Sequence, residues 1–309
     1  MAGEGTGAEP RNRGTQSRGT ETRGIEARGV EAEERPVIRL APIELYVFQL
    51  QANVGEGVKS NPHDIFALKR RLIDLGFDWV KLNDKMDAET IQAIRLFRAI
   101  TEGHHEFVTK EGKYLFKKHG LVEVGKRTYQ WLQSLNAPRW QQMSEKGEGF
   151  ENHDVKGIAR AQRDYGTDWM AATIQAAGEH YARNYRDSHP QAALLTINDV
   201  SPRRGGYAYP HQGHQTGLDC DIRVPRKDGQ APGGVTWKHT ENSDNSKNYD
   251  RDTMKAMLTA IRNQRLVTII LFNDPDLVDA KLCRADKKDK DQVHDNHAHF
   301  QIRPPGMEA

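Results

Sequence analysis

The sequence predicts an α+β protein. A small three-helix module comes first, then a domain whose mostly antiparallel sheet is backed by helices, and a disordered tail precedes both. Three observations carry that expectation. Residues 1–36 hold almost no large apolar side chains, residues 60–140 place apolar side chains at helical spacing, and from residue 168 onward amphipathic helical stretches alternate with short strand-like runs. The domain boundaries that follow are 1–36, 37–145 and 146–309.

The tail contains a five-residue repeat, RGTQS, RGTET, RGIEA, RGVEA, over residues 13–32. It cannot bury enough apolar surface to offset the entropy of ordering it, so disorder is expected. The glutamates between the arginines dilute its charge, and the whole chain carries a formal net charge of only +2, so no nucleic-acid partner is expected. At 309 residues the chain is long enough for two domains with cores of their own. No run approaches the ~18 apolar residues of a membrane span. The longest apolar stretch near the start, IELYVFQL at 43–50, is too short and too internal for a secretion signal, and no export route is legible. Two cysteines, Cys220 and Cys283, exclude a disulfide framework and a cysteine-type zinc site, while one disulfide between them stays open.

In the module, NPHDIFALKRRLIDLGF sets Ile65, Leu68, Leu72 and Leu75 on one helical face, and Gly76 ends the run. DAETIQAIRLFRAI predicts a second helix with Asp87 as its N-cap and Ile91, Ile94, Leu96, Phe97 and Ile100 inward. GKRTYQWLQSL at 125–135 predicts a third. The patterns LKRRLIDLGF, DAETIQAIRLF and TYQWL resemble the peptidoglycan-binding domain-like module found beside cell-wall hydrolases, with EGHHEFVTKEGKYLFKKHG at 102–120 as a longer insertion. The resemblance implies that this part holds peptidoglycan.

In the second domain, DWMAATIQAAGEHYARNY predicts an amphipathic helix and ALLTIND at 193–199 a strand. YDRDTMKAMLTAIRNQ predicts a helix with Met254, Met257, Leu258 and Ile261 on one face. The unbroken apolar run LVTIILF at 266–272 predicts a central strand buried on both sides, and HAHFQIR at 297–303 a final strand.

Two short segments carry the chemistry. In HQTGLDCDIR, a strand over Leu218–Ile222 turns Leu218, Cys220 and Ile222 to one face and Asp219 and Asp221 to the other. Gly217 permits a turn that folds His214 back over Asp221, an arrangement that suits zinc and equally suits a buried hydrogen-bonded pair. In HDNHAHFQIR, His297, His299, Gln301 and Arg303 share one strand face, while Ala298, Phe300 and Ile302 face the core. With His211 and His294, five of the 13 histidines fall in these two segments. A lone histidine is ordinarily a hydrogen-bonded residue; five so clustered, with an aspartate on the same kind of face, point to a metal site, and imidazole with carboxylate suits zinc.

The paired motifs resemble those of the penicillin-insensitive murein endopeptidases, within the lysostaphin/D-Ala-D-Ala peptidase/hedgehog group of zinc peptidases. Matching positions are His214 and Asp221, then His297 and His299, with INDVSPRRGGYAYPHQGHQTGLDCDI at 197–222 and His294 as further features of the branch. Residue by residue, the resemblance implies one zinc held by His214, Asp221 and His299, with His297 as the catalytic histidine. It implies that His211 and His294 line the site and that an arginine of SPRRGG, taken as Arg204, serves it; Asp219 is read with them as standing behind the ligands or contacting substrate. The implied activity is hydrolysis of peptidoglycan cross-links at the D-alanyl–meso-diaminopimelyl bond, outside the cytoplasm. No H-E-x-x-H helix is present, so a glutamate-base zinc mechanism is not expected, and no G-x-S-x-G elbow points to a serine hydrolase. The rival expectations are a D,D-carboxypeptidase and a non-catalytic wall-binding protein with a metal staple. His239 and Asp244 are read as solvated loop residues.

Overall fold

Asn61 opens the first helix by accepting the Asp64 backbone N–H, with Pro62 at the first helical position, where a missing N–H costs nothing. This computed structural model describes residues 48–153, 163–209, 211–228, 232, 247–286 and 293–307. The expected tail, and His239 and Asp244, lie outside them.

Helix α1 (Pro62–Asp74) buries Ile65, Leu68 and Leu72, and Leu75 caps it. Helix α2 (Ala88–Glu102) starts at Asp87, whose carboxylate accepts from Thr90, and stops at Gly103, in the left-handed conformation that favours glycine. Its face of Ile94, Leu96, Phe97 and Ile100 is buried, each side chain worth about 1.5–3 kcal/mol. Helix α3 (Arg127–Gln133) completes the expected three, and a two-stranded ribbon, β1 (Val54–Gly55) with β2 (Leu121–Val122), lies beside them.

The sheet that positions the site has six strands in the order β4 (Lys146–Gly147), β5 (Phe150–Asn152), β7 (Leu195–Ile197), β8 (Asp219–Arg223), β10 (His297–Ile302), β9 (Val267–Leu271). Among the described residues, β5–β7 is the one parallel strand pair of this sheet. A separate ribbon joins β3 (Trp140–Gln142) to β6 (Tyr165–Thr167). Helix α4 (Asp168–Tyr181), prolonged by a π-helical turn at Ala182–Arg186, packs on α5 (Arg251–Arg262), which buries Met254, Met257, Leu258 and Ile261 as expected; α6 (Pro275–Asp279) follows β9.

One strand differs from expectation. The run 266–272 forms β9 at the edge of the sheet, with Thr268 exposed and only Ile270 and Phe272 buried. Its outer backbone is covered by the 282–286 segment instead of a strand: Arg284 N–H donates to the Ile270 carbonyl, and Phe272 N–H donates to that of Arg284. An edge covered in this way keeps an apolar sequence without exposing a free ladder. Cys220 and Cys283 are both buried free thiols. Residues 46–309 form one compact unit. Among the described residues, no helix is long and apolar enough to cross a membrane.

Candidate metal centre

Register builds the site. In the β8–β10 pair His299 stands opposite Asp221, Gln301 opposite Asp219, and His297 opposite Arg223. Directly opposed side chains on one face lie within contact distance, so two motifs 78 residues apart meet across a single ladder. On the other face Phe300 stands opposite Cys220 and Ala298 opposite Ile222, all buried in the core.

The third arm comes from the turn before β8. Gly217 has φ 65°, and a Cβ there would sit 2.4 Å from Gly166 Cα, so the close approach of the β6 backbone requires glycine. His214 itself has φ 59°, uncommon for a side-chain-bearing residue, and its backbone N–H donates to Asp219 Oδ2 at 3.2 Å. The imidazole is thereby folded back as the sequence predicts, with Nε2 3.2 Å from Asp221 Oδ1 and 3.0 Å from His299 Nδ1. Asp221 Oδ1 lies 2.9 Å from His299 Nδ1, closing a triangle.

Tautomers follow from the far nitrogens. His214 Nδ1 is 3.1 Å from the Val200 carbonyl oxygen, which can only accept, so Nδ1 carries the proton and Nε2 presents a lone pair. His299 Nε2 faces Asp219 Oδ1 at 3.3 Å, leaving Nδ1 as the inward lone pair. Two imidazole lone pairs and a carboxylate oxygen therefore converge, and a proton or a metal ion must sit among them. Donor atoms around a tetrahedral zinc, at about 2.0–2.2 Å from it, lie about 3.4 Å from one another, close to the separations here. The backing of each imidazole by a carbonyl or carboxylate is the arrangement that orients metal-bound histidines. The donor set fits zinc.

Electrostatics agree. Burial opposes ionisation of Asp221, but His214, His297 and His299 more than offset it and hold the carboxyl well below the usual range. Burial likewise disfavours charge on Asp219, and His105 and His299 reverse the effect. Burial disfavours charge on His299, yet Asp219 and Asp221 push its pKa up to about 10, so near neutral pH a proton competes with a metal ion for the inward Nδ1. Burial drives His297 the other way, and Asp221 only partly compensates.

The remaining sequence-predicted residues fall at different distances. His211 joins His214 and Asp221 in a group whose ligand atoms lie within 4.8 Å of one another, but its Nε2 is held by Asp199 at 2.8 Å and its Nδ1 is 4.0 Å from Asp221. The tighter triangle therefore runs through His299. His297 hydrogen-bonds Asn296 through Nδ1 at 2.9 Å and turns Nε2 toward Asp221 Oδ2, 3.7 Å away. His294 packs its ring 5.2 Å from that of His297 and 5.8 Å from that of His299. Arg204 points elsewhere: it is exposed and pairs with Glu89 of α2 at 3.0 Å.

A different arginine lies at the rim. Arg163 reaches Asp199 at 2.6 Å, so that Asp199 bridges it to His211, and it also donates to the Tyr209 carbonyl. Asp199 lies inside the 197–222 motif but was not singled out there, and Arg163 has no local signal. His105, from the 102–120 insertion, was not legible either; its Nδ1 lies 3.1 Å from Asp219 Oδ1. Gln215 anchors the same insertion, accepting the N–H groups of Phe107 and Val108 at 2.9 and 3.0 Å.

The family model of the penicillin-insensitive murein endopeptidases matches residues 139–307, more than half of the chain. The chain belongs to this family. Membership makes it a peptidase of a metallopeptidase family acting on peptidoglycan, and the matched span contains every vertex of the triangle. Among curated proteins, none matches the chain. As a murein endopeptidase it works on an extracytoplasmic substrate. The family match begins after the three helices, so it does not describe them.

Proposed function

We propose that this murein endopeptidase is a zinc enzyme that hydrolyses the D-alanyl–meso-diaminopimelyl cross-links of peptidoglycan. In this reading His214, Asp221 and His299 hold one zinc and His297 transfers the proton. The observation that carries it is the convergence of three buried donor atoms within 2.9–3.2 Å on a rigid strand pair. Zinc held there would polarise the scissile carbonyl and lower the pKa of a bound water to about 7. His297 stands on the ligand face with Nε2 directed inward, placed to take a proton from the attacking water and return it to the leaving amine. His211 and His294 border the site, and Asp219 fixes the ring plane of His299.

The helical module would hold the polymer while cleavage proceeds. Supporting this are its resemblance to peptidoglycan-binding modules and a cavity of about 560 Å³ lined by Val58, Arg95, Tyr114, Lys117 and Leu121. A full-length Tyr114→Ala, Lys117→Ala variant is expected to sediment less with insoluble sacculi while still cleaving soluble cross-linked muropeptides. Unchanged sedimentation removes the module from this role.

The test of the activity is digestion of purified sacculi, with products identified by mass. Conversion of cross-linked dimers to monomers, abolished by a chelator and restored by zinc, is the expected result. Release of terminal D-alanine with dimers intact would make the protein a D,D-carboxypeptidase. Zinc without any turnover would make it a metal-stapled binding protein.

A further inference from the structure

A second constellation of metal-ligating side chains lies in the helical module, outside the residues that the family model matches. Glu102 is the last residue of α2, and Gly103, with φ 75°, turns the chain so that His104 follows at once. His119 closes the insertion just before β2. A single oxygen, Glu102 Oε2, lies 3.2 Å from His104 Nε2 and 3.2 Å from His119 Nε2, and the three ligand atoms all fall within 4.8 Å of one another.

Each member is oriented by something else. Glu102 Oε1 accepts from Arg98 Nε at 2.8 Å, which fixes the carboxylate plane and leaves Oε2 for the cluster. The Phe116 ring stacks on His104 at 4.1 Å and on His119 at 4.6 Å and so holds both imidazole planes. His119 is buried, and its burial, with Arg98, Arg95 and His104 opposing charge as well, pushes its pKa down to about 4 despite Glu102.

We propose that Glu102, His104 and His119 form a second metal site that binds a zinc-class divalent cation and staples the 103–119 loop to the end of α2. Two imidazoles and one carboxylate are a zinc donor set, and the 3.2 Å separations are close to the about 3.4 Å expected between ligands of a tetrahedral ion. The stapled loop carries His105, whose ring meets Asp219, and Phe107 and Val108, whose N–H groups are held by Gln215. The second metal thus stiffens the segment that closes on the first site. It does not depend on the function proposed above.

The experiment measures metal in the purified full-length chain after exhaustive exchange into zinc buffer. Wild type is expected to hold about two equivalents, His104→Ala about one, and the His214→Ala, Asp221→Ala double variant about one, lost when His104→Ala is added. Far-UV circular dichroism reports folding, and Glu102→Gln, which keeps the size and the Arg98 hydrogen bond, gives the same reading if His104→Ala fails to fold. A second readout needs no activity. Lys110, Lys113, Lys117 and Lys118 are exposed on the loop, so zinc should slow tryptic cleavage there in the double variant and not in Glu102→Gln. The proposal is overturned if folded Glu102→Gln holds as much zinc as wild type, or if the folded double variant holds none. Failure of the strand-face site alone reads differently: wild type would hold about one equivalent, lost in Glu102→Gln and kept in the double variant.

Discussion

His299 lies opposite Asp221, and His297 lies two residues earlier, about 6.6 Å along the strand. In the proposed mechanism that step separates a ligand from a group that can reach the substrate. His297→Ala is expected to keep its zinc and its melting temperature while cleavage falls about 10²–10⁴-fold. His299→Ala is expected to lose metal and activity together. Elemental analysis beside muropeptide mass spectra checks both, and a zinc-free His297→Ala with a zinc-loaded His299→Ala would exchange the two roles. Asp219 acts one bond further out. It receives Gln301 Nε2 at 3.0 Å and backs His299 Nε2 at 3.3 Å. Asp219→Asn keeps the volume but weakens that backing, so zinc affinity should fall about 10–100-fold in competition with a chromophoric chelator. Equal affinity would mean that packing alone orients His299.

At the scale of elements, α2 is tied to α1 by a buried charge. Lys69 is fully buried and meets Asp87 at 2.6 Å and Asn83 at 2.8 Å, while Asp87 also caps α2 through Thr90 N–H at 2.8 Å. Burial disfavours the Asp87 carboxylate, but Lys69 and Thr90 win and hold its pKa below the ordinary 3.8. A carboxyl so depressed stabilises the fold at pH above 3.8, and the contribution is lost as pH falls through the folded-state value. Asp87→Ala strands the lysine and removes the cap, at a cost of about 2–3 kcal/mol near neutral pH. Denaturant titrations should show the gap from wild type narrowing below pH 3.8, and a gap that stays constant would mean the ion pair contributes nothing. Gly217→Ala attacks the turn before β8. Its Cβ would meet backbone at 2.4 Å in a left-handed conformation, so it should lower both the melting temperature and the zinc occupancy, because His214 rides on the same turn. A variant with wild-type zinc content would show that the turn does not set His214.

Across the whole molecule, helical module and sheet share buried contacts. Trp131 of α3 packs 5.7 Å from Trp169 of α4, Phe77 stacks on Trp140 at 6.3 Å, and Trp140 Nε1 donates to the Arg203 carbonyl at 2.7 Å. The Met307 carbonyl near the end of the described chain accepts from Ser134 and Asn136 after α3. With so much apolar surface in common, residues 46–309 are expected to unfold in one cooperative step. Tryptophan fluorescence and far-UV dichroism should give coincident urea curves, and two separated transitions would show that the module folds by itself.

The sequence by itself determined the parts that depend on local pattern. Helical spacing marked α1, α2 and α5, and period-two alternation put Asp219, Asp221, His297, His299 and Gln301 on polar strand faces. His214 could be placed over Asp221 because one glycine turn links them. Tertiary structure decided what depends on which segments become neighbours. The apolar content of 266–272 is compatible with a centre strand or with an edge covered by the 282–286 segment, and only the strand order selects the edge. Arg163 rather than Arg204 reaches Asp199, and His105 reaches Asp219 across 114 residues of chain, because the fold closes those distances and no local period records them. The same holds for Glu102, His104 and His119: two of the three flank Gly103 in sequence, and the third arrives only when the insertion folds back against the end of α2. Side-chain direction along one element is fixed by backbone geometry, whereas contact between elements is fixed by the packing of the whole.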